Sequence, residues 1–324
     1  MKAIVITAQG GPEVLQLQEV PAPEPKAGEV LVDIEAVGLN FADVLAAKGR
    51  YAGGPKPPYV GGREFAGTRA DNGQRVMGYV EYGAFAEQIA VPEDRIWPIP
   101  EGWTAADAAA FPVNYFTAYL LYWKASLLPG ETRRPSTRAP RALIHAAAGG
   151  VGTAAVQIGK LLGIETYGTS SSDEKLQRVA ELGLNHGINY TREDYEQAIE
   201  ALTRGEGVDT VFDMLGGDDT AKSIRTLAFD GRCIIYGAVS GKRPQFDIGA
   251  LYAKACSVHG LWLSRLVYNR ELMNSAWTTL HGWIREGSLK PVVGDVVPLD
   301  RLADAFQLVL ERKNFGKIVL TVKA

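Results

Sequence analysis

The chain has 324 residues, 46% of them hydrophobic and 22% charged, with a formal net charge of −3. That length and composition fit a soluble globular protein with room for two domains, each with its own core. So balanced a charge gives no reason to expect nucleic acid or a membrane surface as partner.

From the N-terminus, Met1 to Ile6 is apolar but turns polar at Thr7 and Gln9, too early for a signal peptide. No run nears the roughly 20 apolar residues of a membrane span. The only cysteines, Cys233 and Cys256, fit small core residues in a reducing cytoplasm and exclude a cysteine-rich zinc lobe. Residues 1 to about 110 read as β-rich. Short apolar or alternating runs at 3–7, 30–36, 74–78 and 85–91 are divided by Gly- and Pro-rich turns, which predicts a compact antiparallel barrel. One helix is expected at 41–48. Thr104 caps an Ala-rich helix, and a second helical pattern covers 115–123. Residues 131–141, with Arg133, Arg134, Arg138 and Arg141, read as a basic surface loop.

From Ala142 onward, strands alternate with helices. Strands are expected at 142–147, 166–169, 186–189, 210–215, 233–237 and 257–261, and the helices between them at 153–162, 173–182, 195–203 and 220–227. Apolar strands alternating with helices predict a parallel sheet covered on both faces. Helices at 271–286 and 302–312 and a strand at 317–322 complete the chain.

The first strand of this region runs into Ala146-Ala147-Ala148-Gly149-Gly150-Val151-Gly152, a small-residue turn followed by a helical pattern. Ala147-x-Gly149-x-x-Gly152 is a variant of the dinucleotide fingerprint. The first position is small for the tight turn, Gly149 admits a pyrophosphate, and Gly152 lets the helix pack against the strand. The turn alone also fits a plain Gly-rich loop; its place between strand and helix favours a nucleotide. The acid that binds the ribose 2′-OH in NAD enzymes is missing from the end of the second strand, which reads Ser170-Ser171-Ser172-Asp173-Glu174-Lys175. Hydroxyls of Ser170 and Ser171 with the Lys175 ammonium suit a 2′-phosphate, so NADPH is favoured over NADH. Asp173 and Glu174 read as first-turn acids facing the helix dipole, and His145 as a satisfied core histidine.

These stretches, with Gly10-Gly11-Pro12-Glu13-Val14-Leu15, Val37-Gly38-Leu39-Asn40-Phe41-Ala42-Asp43, Gly62-Arg63-Glu64-Phe65-Ala66-Gly67 and Asn314-Phe315-Gly316-Lys317-Ile318-Val319-Leu320, make the chain similar to the zinc-independent quinone oxidoreductases. That group, which includes zeta-crystallin, is a branch of the medium-chain dehydrogenase/reductase superfamily. The resemblance spans nearly the whole chain. It implies an α/β protein in which a Rossmann doubly wound parallel sheet is joined to an N-terminal β-rich GroES-like barrel domain. The implied domains are residues 1–114 (substrate), 115–262 (NADPH) and 263–324, a segment returning to the first domain. It also implies a cytoplasmic homodimer.

Zinc-dependent relatives carry a Cys where this chain has Asn40 and a His where it has Arg63. No cysteine precedes Cys233 and no histidine precedes His145, so the N-terminal domain lacks the three ligands of a catalytic zinc site. The resemblance implies hydride transfer from NADPH to a small electron-poor acceptor, a quinone or alternatively an α,β-unsaturated carbonyl. A third possibility is an NADPH-binding protein of negligible turnover. Residue by residue, Ala147, Ala148, Gly149, Gly150, Val151 and Gly152 would hold the pyrophosphate. Ser170, Lys175 and Tyr190 match 2′-phosphate contacts, and Asn40 and Thr117 match positions beside the nicotinamide. Gly237, Ala238 and Val239 would line the cofactor cleft, with Phe315 and Lys317 near it. Tyr51 stands where enoyl-thioester reductases carry a proposed proton donor, and it reads equally well as a pocket wall. Arg63 is expected to pair with Glu64 or another nearby carboxylate. Trp262-Leu263-Ser264 fits either a pocket segment or a dimer contact. Two departures stand out: the turn at 68–73 is shorter than the family's, and the Arg-rich loop is longer.

Overall fold

The apolar run that follows Lys2 becomes β1 (Lys2–Ile6), whose last four residues are all buried. The computed structural model describes residues 1–130, 137–244, 246 and 248–322. After β1 come β2 (Leu15–Glu19), β3 (Glu29–Leu39), α1 (Phe41–Ala47), β4 (Tyr59–Val60), β5 (Glu64–Arg69), β6 (Arg75–Tyr79), β7 (Gln88–Pro92), β8 (Ile96–Pro98) and α2 (Ala105–Ala109). β2, β1 and β4 form a small antiparallel sheet. β3 is the pivot of the larger one, pairing antiparallel with both β5 and β7. Its 11 residues slip register between Ile34 and Ala36, which lets one strand serve successive partners.

α3 (Pro112–Lys124) leads to the second region: β9 (Arg141–Ile144), α4 (Gly150–Leu161), β10 (Glu165–Ser170), α5 (Asp173–Leu182), β11 (His186–Asn189), α6 (Tyr195–Leu202), β12 (Val208–Asp213), α7 (Asp218–Arg225), β13 (Leu227–Ile235), α8 (Ile248–Ala253), β14 (Ser257–Gly260) and α9 (Leu263–Leu266). Its sheet is wholly parallel, in the order β11-β10-β9-β12-β13-β14. This is the doubly wound order, reversing direction between β9 and β12. Strands covered on both faces need continuous apolar runs, and Ala142, Leu143 and Ile144 are accordingly almost wholly buried. The Tyr122 hydroxyl donates to Ala155 O at 2.7 Å, tying α3 to α4.

α10 (Arg270–Arg285), β15 (Val293–Pro298), α11 (Leu302–Leu310) and β16 (Lys317–Thr321) rejoin the first region, where β16 pairs with β3. The chain thus divides into two units, Met1–Asn114 with Val267–Ala324, and Tyr115–Leu266. Ile4, Ile34, Phe65, Phe85, Phe306 and Leu320 lie in the core of the first unit; Leu143, Tyr167, Val211, Ile224 and Cys233 lie in that of the second.

Several elements differ from the sequence expectation. α3 starts three residues early, because Pro112 suits the first helical turn, where its missing N–H is not needed. β13 begins at Leu227 rather than Cys233; Asp230 adopts a left-handed φ of 62° and the register against β12 shifts there, a bulge inside the strand. Arg133 and Arg134 lie outside the described residues. Arg138 and Arg141 are not part of a free basic surface: Arg138 pairs with Asp209 at 2.7 Å and Glu206 at 3.2 Å, and Arg141 with Glu165 at 3.0 Å and Glu206 at 2.8 Å.

Where β3, β5 and β16 meet, the first unit buries a set of charges. The Lys317 ammonium pairs with the Glu64 carboxylate, at side-chain exposures of 2% and 0%. It also donates to Asn40 Oδ1 at 2.6 Å. Glu64 further accepts from Asn40 Nδ2 at 2.8 Å and from the Val113 N–H at 2.7 Å. Gly38 makes room for them, since a Cβ there would sit 2.6 Å from both Glu64 Oε1 and Lys317 Cε. Removing one member of a buried pair strands the other in low dielectric. Lys317→Met is therefore expected to lower unfolding stability by about 3–5 kcal/mol, and Lys317→Met with Glu64→Met to recover part of it. Urea denaturation of the two variants checks this; equal losses in both would show that the pairing contributes nothing.

Candidate cofactor and acceptor sites

In the second unit, β9 ends at Ile144 and delivers the fully buried His145. Its ring nitrogens lie 3.1 Å from Thr169 Oγ1 and 2.8 Å from Ser223 Oγ, and Tyr195 packs edge-on at 4.9 Å. Burial pushes its pKa down, against the pull of Asp213 and Asp219. His145 is a satisfied core histidine, as expected, although it follows the strand rather than lying in it.

Ala146 then adopts a left-handed φ of 51°. Its N–H donates to Thr169 Oγ1 at 3.3 Å, the Ala147 N–H donates to Thr169 O at 3.0 Å, and the Gly149 N–H closes the turn onto Ala146 O at 2.9 Å. α4 follows with Gly149 as its N-cap, which has no side chain to satisfy the first-turn N–H groups. Those donors and the positive end of the helix dipole suit an anion. Gly152 cannot be replaced without moving the turn, because a Cβ would lie 2.3 Å from Ala146 O and 2.7 Å from Ala147 Cα. Ala147 and Ala148 are buried, while Gly149, Gly150 and Val151 are partly exposed at the turn.

Ser170 closes β10 and pairs in register with Asn189 of β11. The Tyr190 N–H donates to Ser170 O at 3.1 Å, so Tyr190 is held beside Ser170 and Ser171. Ser172 caps α5 by accepting from the Lys175 N–H at 3.3 Å. The structure thus brings Ser170, Ser171, Lys175 and Tyr190 to one end of adjacent strands.

Gly237, Ala238 and Val239 follow β13. Val239 and Ser240 donate to Met214 O and Leu215 O, both at 2.9 Å, which clips this loop to the one after β12. Both loops and the Ala146–Gly152 turn follow the carboxyl ends of parallel strands, with β9 and β12 at the switch point where dinucleotides bind in such sheets. Sequence reasoning passes over Met214 to Gly217; the Gly216-Gly217 pair directly after an apolar strand is the signal that marks it. Thr117 is buried on α3 in this unit.

In the first unit, Asn40 and Lys317 are in direct contact, and Phe315 is buried two residues before Lys317. The Asn40 amide is fully engaged, its Nδ2 donating to Glu64 and to Gly38 O at 3.4 Å and its Oδ1 accepting from Lys317. The Asn40 N–H donates to Asp43 Oδ2 at 2.9 Å. Arg63 pairs with Asp43, Nε to Oδ1 at 3.4 Å, both side chains being 2% exposed. Of the carboxylates open to Arg63, it takes Asp43, because Glu64 is held by Lys317. The guanidinium carbon lies 4.0 Å from the Tyr51 ring centre and 4.7 Å from that of Tyr82, and Arg63 also donates to the Tyr82 hydroxyl at 3.1 Å. Burial pushes the Asp43 carboxyl up to about 6, against Arg63, the Asn40 N–H and Lys317, which favour the charged form. At neutral pH the pair is therefore complete. Tyr59, edge-on to Tyr82 at 5.4 Å, is raised by burial to about 12. Among the described residues, no group of three or more His, Cys, Asp and Glu side chains is placed to hold a metal ion.

Comparison with known proteins gives this geometry a context. Residues 26–101 match the family described as Alcohol dehydrogenase GroES-like domain, and residues 150–281 the one described as Zinc-binding dehydrogenase. Quinone oxidoreductase-like protein 2 of Mus musculus is 33% identical over 322 residues, 95% of this chain and 89% of that protein. The Synaptic vesicle membrane protein VAT-1 homolog of Homo sapiens is 34% identical over 349 residues, 99% of this chain and 86% of that protein. Among solved structures, the quinone oxidoreductase of Thermus thermophilus, determined also with NADPH, superposes with a TM-score of 0.86 at 35% identity, covering 99% of this chain and 100% of that one. The Escherichia coli quinone oxidoreductase complexed with NADPH gives a TM-score of 0.89 at 28% identity, with the same coverage. With its GroES-like first unit and doubly wound second unit, the chain belongs to the medium-chain dehydrogenase/reductase superfamily, in its quinone oxidoreductase branch.

Proposed function

We propose that this protein is an NADPH-dependent, metal-independent oxidoreductase that delivers hydride to a quinone. The reading is carried by the two residues that stand where metal-dependent members of the superfamily hold zinc. Asn40 has its amide engaged by Glu64, Gly38 and Lys317, and Arg63 brings a guanidinium. A zinc site needs three lone-pair donors and an open position. An engaged amide and a cation do not fit that ion.

NADPH supplies the hydride when bound. The uncapped first turn of α4 serves its pyrophosphate, and Gly149 to Gly152 let the backbone approach. Ser170, Ser171, Lys175 and Tyr190 serve the 2′-phosphate, and the loop of Gly237 to Val239 lies at the same sheet edge. For Asn40, Thr117, Phe315 and Lys317 we take the cofactor-side roles that the resemblance implies. A quinone suits this apparatus because reduction yields an aromatic product and needs little acid catalysis. The solved relatives named as quinone oxidoreductases support this choice of acceptor.

A second reading, reduction of an enone or enoyl thioester, draws on Tyr51. Such an acceptor needs a proton at its α-carbon, and Tyr51 is a phenol whose ring is held in place by Arg63. We further propose a homodimer. β14 ends the parallel sheet, leaving an edge for strand pairing, and light scattering of the purified protein tests it. No described helix is long and apolar enough to cross a membrane.

NADPH oxidation is expected with 9,10-phenanthrenequinone and 1,4-benzoquinone, and to survive dialysis against a chelator. Turnover of crotonyl-CoA or an alkenal in place of both quinones would select the second reading; tight NADPH binding without any turnover would overturn both. If the second reading holds, Tyr51→Phe should cut kcat on crotonyl-CoA by about 10²-fold, the low end for general acid catalysis, and unchanged activity removes the donor role. Lys175→Ala should raise the NADPH KM by roughly tenfold, the effect of losing one charged hydrogen bond. The NADH KM should move far less, and equal changes would defeat the 2′-phosphate assignment.

A further inference from the structure

The proposed 2′-phosphate site contains a carboxylate that ought to oppose a phosphate. Asp173 is the first residue of α5, two positions before Lys175 and three after Ser170. Its side chain is 42% exposed and lies on the same strand-end surface as Ser170, Ser171 and Tyr190. A bare carboxylate on that surface would repel a phosphate dianion bound there, the more so at low salt.

The structure shows how that charge is occupied. Asn189, buried at the end of β11, donates from Nδ2 to Asp173 Oδ1 at 2.6 Å. Its amide is oriented by Thr191, whose N–H and hydroxyl both donate to Asn189 Oδ1, at 3.1 Å and 2.7 Å. The other oxygen, Asp173 Oδ2, is ion-paired with the Arg192 guanidinium. The segment from Asn189 to Arg192 therefore folds back on the first turn of α5, held by hydrogen bonds from the Arg192 and Glu193 N–H groups to Asn189 O at 2.9 Å and 3.1 Å. Tyr190 lies inside this hook.

We propose that Arg192 is a specificity-determining residue for NADPH over NADH, acting through Asp173 by neutralising the carboxylate beside the 2′-phosphate. This rests on the assignment of Ser170, Ser171, Lys175 and Tyr190 to that phosphate. Arg192 is a positioning residue, since it engages Asp173 and its head is 73% exposed. An NADH ribose carries no such charge and is indifferent to the pair.

The experiment compares Arg192→Ala, Asp173→Asn and the double variant, measuring KM for NADPH and NADH with one quinone at about 20 mM and 500 mM salt. Arg192→Ala is expected to raise the NADPH KM by about 3–10-fold at low salt, with kcat and the NADH KM within about twofold of the parent, and the effect should shrink at high salt. The double variant should return the NADPH KM to near the parent value, because the charge to be masked is gone. Asp173→Asn alone should leave NADPH binding unchanged or tighter. The proposal is overturned if the double variant stays as impaired as Arg192→Ala, which would mean direct contact with the phosphate. It is equally overturned if Arg192→Ala moves both KM values together, or neither. Lys175→Ala, run alongside, separates the two levels: an unchanged NADPH-to-NADH preference there removes the phosphate site itself. Melting temperatures of all variants confirm that each is folded.

Discussion

Glu64 lies wholly out of water, and a carboxylate in that position costs several kcal/mol unless its surroundings offset the loss of hydration. The first unit is arranged to do so. Near the end of β3 a glycine is too small to interfere, the asparagine that caps α1 bonds to it, the start of α3 offers a backbone N–H, and β16 opens on the lysine that balances its charge. Asp43 and Arg63 form a second pair next door. Two anions and two cations at this depth leave no net charge, yet they fix the meeting of β3, β5, α1 and β16 more narrowly than apolar packing does. A hydrogen bond adds a demand on direction that apolar contact does not make.

The turn that opens α4 in the second unit is governed by sterics rather than charge. At the turn from β9 into α4 the backbone runs so close to Gly152 that any side chain would collide with it. The same closeness brings the helix end to the sheet edge with its first-turn donors uncapped. Sheet edge, turn and helix end then form one surface suited to an anion. The two units thus carry complementary chemistry: one is a neutralised set of fixed charges, the other a surplus of partial positive charge.

Much of this can be read from residue order, for physical reasons. Strands buried on both faces must be apolar throughout, so β9 and the end of β13 declare themselves. The glycine turn is legible because each small residue answers a steric demand. Asn40 and Lys317 are linked only through family resemblance; no local pattern connects residues so far apart. The partner of Arg63 stays open in the sequence, because the choice between Asp43 and Glu64 depends on where β16 inserts its lysine. The strands β4 and β8, of two and three residues, escape notice, having too few residues for a period to emerge. β5 is hidden by Glu64 and Gly67, residue types depleted in strands, whose presence follows from the charge network and from close approach to β3.

The pairing of Lys317 with Asn40 spans 277 residues of chain. At a synthesis rate of about 5–20 residues per second, roughly 15–55 s separate the appearance of one from the other. Throughout that interval Glu64 has no lysine and β3 lacks the strand that will cover its second half. The second unit faces no such wait, since every strand of its sheet is complete before Val267 is made. The barrel that leads the sequence is thus the last part whose strands are all made. Its nascent strands, with an unmatched acid among them, wait longest for the contacts that bury them.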